Sequence, residues 1–168
     1  PAGQRTLYAT AFNSGVYKSI DDGITWTCMN NTLDPRNLFA WRLVLLPDGT
    51  LYVVIVKNRL PGHEFTGAIY RSTDKAETWE PVPLPDGVDF PNDLTFDPSG
   101  RLYLSCWPRL VDGENRSGGA YASDNGGRTW IQVFDPGMHV YTVTVDPANP
   151  SILYLSTFDA ALFCSIDR

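Results

Sequence analysis

Ser19-Ile20-Asp21-Asp22-Gly23-Ile24-Thr25-Trp26 matters because the chain repeats it. Ser72-Thr73-Asp74-Lys75-Ala76-Glu77-Thr78-Trp79 keeps the pattern Ser-x-Asp-x-Gly-x-Thr-Trp except at the glycine, which is Ala76. Ser123-Asp124-Asn125-Gly126-Gly127-Arg128-Thr129-Trp130 keeps all but the aspartate, which is Asn125, and Ser165-Ile166-Asp167 starts a fourth copy. The tryptophans recur at 53 and 51 residues, and the serines at 53, 51 and 42. Two residues before each serine stands an aromatic: Tyr17, Tyr70, Tyr121 and Phe163. Further upstream lies a Leu-Tyr pair at Leu7-Tyr8, Leu51-Tyr52, Leu102-Tyr103 and Leu153-Tyr154. A period of this length, built from short strands, indicates a blade-like or solenoid array.

Period-two alternation and turn punctuation set the strands. The second unit reads as strands over Ala40–Leu46, Leu51–Lys57, Ala68–Thr73 and Thr78–Val82, with Pro47-Asp48-Gly49 as a tight turn. The third reads Asp93–Phe96, Leu102–Cys106, Ala120–Ser123 and Thr129–Phe134; the fourth reads Val140–Val145, Ile152–Thr157 and Leu162–Ile166. The first reads Thr6–Phe12, Val16–Ile20 and Thr25–Met29, without an opening strand. No helix-length window shows a 3.6-residue apolar period, so the chain is expected to be all-β. Four-stranded antiparallel units repeated radially are a β-propeller, which closes with roughly 4–8 blades. Fourteen strands make about three and a half blades, with units expected over 1–33, 34–86, 87–136 and 137–168. The expectation is an open arc or a piece of a larger ring. Its end sheets expose edges that the remaining blades, or another copy, would cover. Pro1 and the break inside the fourth repeat suggest a processed or excised chain.

Composition narrows the function classes. Of 168 residues, 13 are Lys or Arg and 19 are Asp or Glu, a net charge of −6, which disfavours a nucleic-acid partner. An apolar share of 43% with 12% aromatics disfavours disorder. No apolar run approaches the ~20 residues of a spanning helix. Cys28, Cys106 and Cys164 form no CxxC and read as buried free thiols on strands.

The three Ser-to-Trp segments resemble the Asp-box, or BNR, repeat of sialidases, xyloglucan-degrading glycoside hydrolases, sortilin-type receptors and photosystem assembly factors. The resemblance covers nearly the whole chain and implies the propeller fold, here as part of a seven-bladed ring. It also implies an extracellular or periplasmic setting and a ligand face opposite the boxes. The box positions, Ser19, Asp21, Gly23, Trp26, Ser72, Asp74, Trp79, Ser123, Asn125, Gly127, Trp130, Ser165 and Asp167, are therefore expected to be structural. Physical reasoning agrees. A carboxylate or amide in a tight turn accepts nearby backbone N–H groups, glycine supplies a left-handed backbone, and tryptophan buries its ring on a neighbouring sheet. Asp21 with Asp22 falls far short of the roughly 6–8 oxygens calcium takes, so no metal and no cofactor is expected.

On the other face, two connections are long for hairpins: Asn58–Gly67, with His63 and Glu64, and Trp107–Gly119, with Trp107, Arg109, Asp112, Glu114 and Arg116. An aromatic platform among carboxylates and guanidinium groups suits a glycan or a small polar molecule, although a solvated loop has a similar composition. His63 and His139 read as exposed loop histidines, with a metal pair or a general base as the alternative. Tyr141 and Arg42, at the starts of inner strands, either meet a ligand or fill the channel. Glycoside hydrolysis needs two carboxyl groups at a set separation. The candidates are Glu64 with Asp112 or Glu114, and Asp34 with Asp89 or Asp93. A sialidase-like site would draw on Arg42, Arg59 and Arg109, without a supporting motif. The ligand-binding set is thus His63, Trp107, Arg109, Arg116, His139 and Tyr141. The expected function is a carbohydrate-binding segment of an exported glycoside-hydrolase-like protein, inactive by itself. The alternative is a non-catalytic binding or assembly scaffold. Asn30-Asn31-Thr32 and Asn115-Arg116-Ser117 match the glycosylation acceptor pattern.

Overall fold

A computed structural model describes residues 5–57, 65–111, 114–135, 137–158 and 162–166, with side chains from 109 to 116 outside the description. The described residues are all-β and form four antiparallel propeller sheets plus a hairpin. Sheet one holds β1 (Leu7–Ala11), β2 (Gly15–Ser19) and β3 (Thr27–Cys28). Sheet two holds β4 (Ala40–Leu45), β5 (Leu51–Ile55), β6 (Ala68–Ser72) and β7 (Glu80–Val82). Sheet three holds β8 (Pro91–Phe96), β9 (Leu102–Cys106), β12 (Gly119–Ser123) and β13 (Ile131–Phe134). Between β9 and β12 the expected long loop folds into its own hairpin, β10 (Arg109–Val111) with β11 (Glu114–Arg116). Sheet four holds β14 (Val140–Val145), β15 (Leu153–Thr157) and β16 (Leu162–Ser165). Each sheet runs in chain order, and β1, β4, β8 and β14 are successive neighbours around the inner side.

Sheets pack face to face, so both faces of a central strand are buried. Leu51, Val53 and Ile55 of β5 join the core with sheet one, while Tyr52 and Val54 join the core with sheet three. A third core lies between sheets three and four around Tyr103, Val143, Leu153 and Leu155. Each such apolar side chain contributes about 1.5–3 kcal/mol on burial, which holds the sheets together without helices.

The Ser-to-Trp turns share one bonding pattern. Ser19 Oγ accepts from Gly23 N at 2.9 Å and donates to Asp21 Oδ1 at 2.7 Å. Asp21 in turn accepts from Thr25 N at 2.9 Å and from Thr25 Oγ1 at 2.5 Å. Ser72, Asp74 and Thr78 repeat this at 2.7, 3.0 and 2.6 Å. At Asn125 the amide still accepts from Thr129 N at 3.0 Å, but its Nδ2 now donates to Thr129 Oγ1 at 2.8 Å. Because these bonds hold the Thr-Trp pair inside the turn, β3, β7 and β13 each begin two residues later than the alternation predicts. Hydrogen bonds from Thr25 and Ser19 pull the Asp21 carboxyl down to about 2, and bonds from Thr78 and Ser72 do the same at Asp74. Asp22 turns away to pair with Arg5, so the two neighbouring carboxylates do not converge.

Trp79 and Trp130 each lock their sheet to the one before it. Trp79 is 2% exposed and its Nε1 donates to Met29 O at 2.7 Å, while Trp130 Nε1 donates to Pro83 O at 2.8 Å. Trp26, at the first sheet, donates to Gly23 O within its own turn and is 42% exposed. A Cβ on Gly127 would sit 2.4 Å from Val82 Cγ1, which explains its glycine. Ala76 holds φ at 69° with its methyl buried in the first inter-sheet core. That burial offsets part of the roughly 1–2 kcal/mol cost of a left-handed L-residue. The cysteines correct the sequence reading: Cys106 is a buried free thiol on β9, but Cys28 and Cys164 are exposed. They lie on the end sheets, where the described residues include no further sheet to cover them.

Candidate functional site: the inner-strand mouth

Strands alternate in direction, so β4, β8 and β14 begin at the end away from the Ser-to-Trp turns. All three carry a bulge at the same place. Ala40 pairs with Ile55 and Arg42 with Val54, leaving Trp41 as the extra residue. Asn92 is extra between Pro91 and Asp93, and Tyr141 between Val140 and Thr142. A bulge re-aims side chains and is common beside functional sites. Here it puts Trp41, Asn92 and Tyr141, then Arg42, Asp93 and Thr142, at matching heights around the inner rim.

A cavity of about 230 Å³ opens among Trp41, Arg42, Asp93, Tyr141 and Thr142. Arg42 Nε meets Asp93 Oδ1 at 2.8 Å, with the carboxylate side chain 6% exposed and the guanidinium 51% exposed. Asp93 Oδ1 also accepts from Leu94 N at 3.0 Å. Burial pushes the Asp93 carboxyl up, and the Arg42 charge opposes that shift. Behind it, Asp93 N donates to Ser105 Oγ at 3.0 Å, and Ser105 Oγ donates to Tyr141 O at 3.1 Å. Asn92 Nδ2 reaches the same carbonyl at 2.6 Å. Thr142 Oγ1 and Ser156 Oγ are 2.8 Å apart. The mouth therefore combines a buried, hydrogen-bonded polar floor with a guanidinium that reaches solvent.

Aromatic rings flank this floor, again by repetition. One hydrogen bond closes each blade above the bulge: Val56 N to Phe39 O at 3.0 Å, Trp107 N to Phe90 O at 3.0 Å, and Phe158 N to His139 O at 2.9 Å. The residue before each inner strand is thus fixed against the residue after each second strand. Phe39 takes the edge of Phe12 at 4.6 Å, and Phe12 lies 6.1 Å from Trp41. On the other side Trp107 gathers Phe90 at 4.9 Å, His139 at 5.1 Å, Phe158 at 5.7 Å and Tyr141 at 6.3 Å. Phe12, Trp41 and Phe158 are exposed.

Of the residues singled out by sequence, the structure brings together Trp107, His139 and Tyr141, and His139 is a half-buried member of the ring cluster instead of a loose loop residue. Arg42 stands at the mouth. Arg109 pairs with Arg116 and Val111 with Glu114 across the β10–β11 hairpin, and the Arg109, Glu114 and Arg116 side chains are outside the description. Arg59, His63, Glu64, Asp112 and Asp167 lie outside the described residues. Asp34 binds Arg36 and Asp89 binds Lys57, so each of those carboxylates has a cation of its own. Among the described residues no three His, Cys, Asp or Glu side chains converge as a metal site. No described helix is long and apolar enough to cross a membrane. The Asn30 amide bonds to Ser14 O at 2.9 Å and accepts from Val16 N at 2.8 Å, which commits this acceptor motif to the fold.

Trp41, Phe12, Phe39, Phe90 and Phe158 do not stand out in the sequence, and Asp93 stands out as one of a carboxyl pair but not as the partner of Arg42. The signal was present: an aromatic follows the second strand in three of four repeats, at Phe12, Trp107 and Phe158.

Strand order, inter-sheet cores and the repeated inner rim define a β-propeller segment of about three and a half blades. Over an alignment 189 positions long, the chain is 27% identical to xyloglucanase Xgh74A of Acetivibrio thermocellus, covering 95% of this chain and 22% of that protein. It thus spans about a fifth of the length of the curated relatives it matches. Among solved structures it is similar to a Niastella koreensis GH74 enzyme, with TM-score 0.72 and 20% identity, covering 96% of this chain and 26% of that one. It is also similar to YCF48 bound to a D1 peptide, with TM-score 0.65 and 17% identity, covering 99% of this chain and 49% of that one. No family model matches the chain.

Proposed function

We propose that this chain is an Asp-box (BNR) propeller segment of an exported, glycoside-hydrolase-like protein, and that its inner-strand mouth binds carbohydrate. The observation that carries the reading is the pair of aromatic clusters, around Trp41 and around Trp107, on either side of the Arg42–Asp93 pair. Pyranose rings offer apolar C–H faces that stack on aromatic surfaces, and hydroxyls that take hydrogen bonds from a few fixed polar groups. Trp41, Tyr141 and Trp107 supply the faces, Arg42 donates, and Asp93 accepts. The 27% identity to a xyloglucanase makes a β-glucan-type chain the first ligand to try.

The segment is assigned binding and not turnover. Glycosidases generally need two carboxyl groups across the scissile bond. Asp93 is the one carboxylate lining the mouth among the described residues. Blade units over 1–33, 34–86, 87–136 and 137–168, and an extracellular or periplasmic location, are part of the same proposal. Affinity electrophoresis through gels cast with xyloglucan tests it: retardation of the native chain, reduced in Trp41→Ala and Trp107→Ala, is expected. No retardation on xyloglucan or other β-glucans would favour a peptide-binding scaffold instead.

A further inference from the structure

The third Ser-to-Trp turn departs from the other two at the residue that holds it together. Asn125 stands where Asp21 and Asp74 stand, and it is followed by Gly126, where the sister turns have Asp22 and Lys75. No other asparagine in the chain precedes a glycine. Asp22 and Lys75 hold φ at 60° and 63°, and Gly126 takes 70° without a side chain. Asn125 is exposed, and the Gly126 N–H donates no hydrogen bond among the described residues. A free main-chain nitrogen thus lies directly along the chain from an exposed carboxamide. Ring closure between such neighbours needs no encounter, and glycine places no Cβ in the way. The carboxamide is also polarised. Its Oδ1 accepts from Thr129 N at 3.0 Å and from Ser123 Oγ at 3.0 Å, while Nδ2 donates to Thr129 Oγ1 at 2.8 Å. Ser123 Oγ is itself fixed by Gly127 N at 2.9 Å. Two donors at about 2.7–3.1 Å from an acyl oxygen stabilise the charge that develops there on nucleophilic attack. A hydroxyl beside the leaving nitrogen can hand it a proton.

We infer that Asn125 is a self-modification site, at which the folded turn converts the asparagine to aspartate with Gly126 N as the nucleophile. Gly126 N loses its proton to hydroxide and bonds to Asn125 Cγ, and the carbonyl electron pair moves onto Oδ1 under the Thr129 N–H and Ser123 Oγ–H donors. The pair returns as the Cγ–Nδ2 bond breaks. Nδ2 takes a proton from Thr129 Oγ1, which regains one from water, and leaves as ammonia. Water then adds to the same Cγ of the cyclic imide, under the same two donors. The bond from Cγ to Gly126 N breaks, and that nitrogen recovers its proton. The net change is one water consumed and one ammonia released, with the main chain unaltered. Because the donors sit on the Cγ oxygen, water is directed there and not to the main-chain carbonyl, so the product is aspartate and not isoaspartate. The new carboxylate then accepts from Thr129 Oγ1, as Asp21 and Asp74 accept from Thr25 and Thr78.

The native chain and a synthetic peptide of residues 117–132 are incubated side by side in mildly alkaline buffer and sampled over days. Trypsin releases residues 117–128 from both, and mass spectrometry follows the exchange of NH₂ for OH. Synthetic standards with aspartate or isoaspartate at position 125 identify the product by chromatography. Expected is conversion in the folded chain roughly tenfold or more faster than in the peptide, with aspartate as the main product. Thr129→Val should slow the folded chain, Thr129→Ser should restore the rate, and Gly126→Lys, which copies Lys75, should stop the conversion. Asn125 left intact in the folded chain while the peptide converts, equal rates in the two, or isoaspartate as the main product would each overturn the inference. The outcome is independent of glycan binding, because this turn lies at the opposite end of the sheets from the mouth and shares no residue with it.

Discussion

Replacing Trp79 with alanine should destabilise the chain far more than the same change at Trp26, although both occupy one place in the repeat. Trp79 is 2% exposed, packs with Val16, Met29, Leu51 and Val53, and donates to Met29 O at 2.7 Å. Deleting a buried tryptophan costs about 3–5 kcal/mol, and orphaning the Met29 carbonyl adds about 1 kcal/mol, so a loss near the top of that range is expected. For a chain of this size that corresponds to roughly 10–20 °C in Tm. Trp26 is 42% exposed and bonds within its own turn, so its loss should cost below about 1.5 kcal/mol. Trp130, half-buried and bonded to Pro83 O, should fall between the two. Trp79→Phe keeps most of the ring and forfeits the N–H bond, for about 1–2 kcal/mol. Urea unfolding followed by far-UV circular dichroism measures all four. Equal losses at Trp79 and Trp26 would refute the reasoning, because the energy would then lie in the turn and not in the inter-sheet seat.

Three further outcomes follow from the same geometry. Gly127→Ala should destabilise by roughly 2–4 kcal/mol in urea unfolding, since its Cβ would meet Val82 at 2.4 Å. Gly49→Ala, with nothing within 4 Å, should cost only the left-handed backbone, about 1 kcal/mol. The Asp21 and Asp74 carboxyls, lowered from 3.8 to about 2, contribute stability that is complete above 3.8 and lost as pH falls toward 2. An Asp21→Asn/Asp74→Asn variant should therefore show a flatter acid limb in a pH series of thermal melts. Asp93 has the opposite sign: its raised folded pKa favours the protonated form, so its ionisation opposes folding as pH rises. Asp93→Asn should remove that slope while weakening glycan retention through loss of the Arg42 partner.

The fold was legible because the repeat writes it out four times. Leu-Tyr pairs, aromatic-x-Ser strands and the Ser-to-Trp turns each appear often enough to fix strand order, and the inter-sheet role of Trp79 follows from its place in the repeat. Strand starts were less legible, since Asp21 and Asp74 hold Thr25 and Thr78 in turn geometry through bonds that alternation does not encode. The mouth was half legible. Trp107, His139 and Tyr141 stand out by residue type, yet Arg42 and Asp93 meet only because bulges at Trp41 and Asn92 set their strands to equal height. Register shifts of one residue leave no mark on composition. The exposure of Cys28 and Cys164 was misread for a related reason: alternation marks a strand face without telling whether a further sheet covers it.

The most direct measurement uses the five tryptophans as reporters. Their indole N–H signals, assigned by single substitution, are followed by ¹H–¹⁵N correlation while a xyloglucan-derived oligosaccharide is titrated in. Binding at the mouth predicts saturable shifts of Trp41 and Trp107, with Trp26, Trp79 and Trp130 unmoved at the opposite end and between sheets. Shifts restricted to Trp26, Trp79 or Trp130, or no shift of any indole at saturating oligosaccharide, would contradict the assignment of the inner-strand mouth as a carbohydrate site.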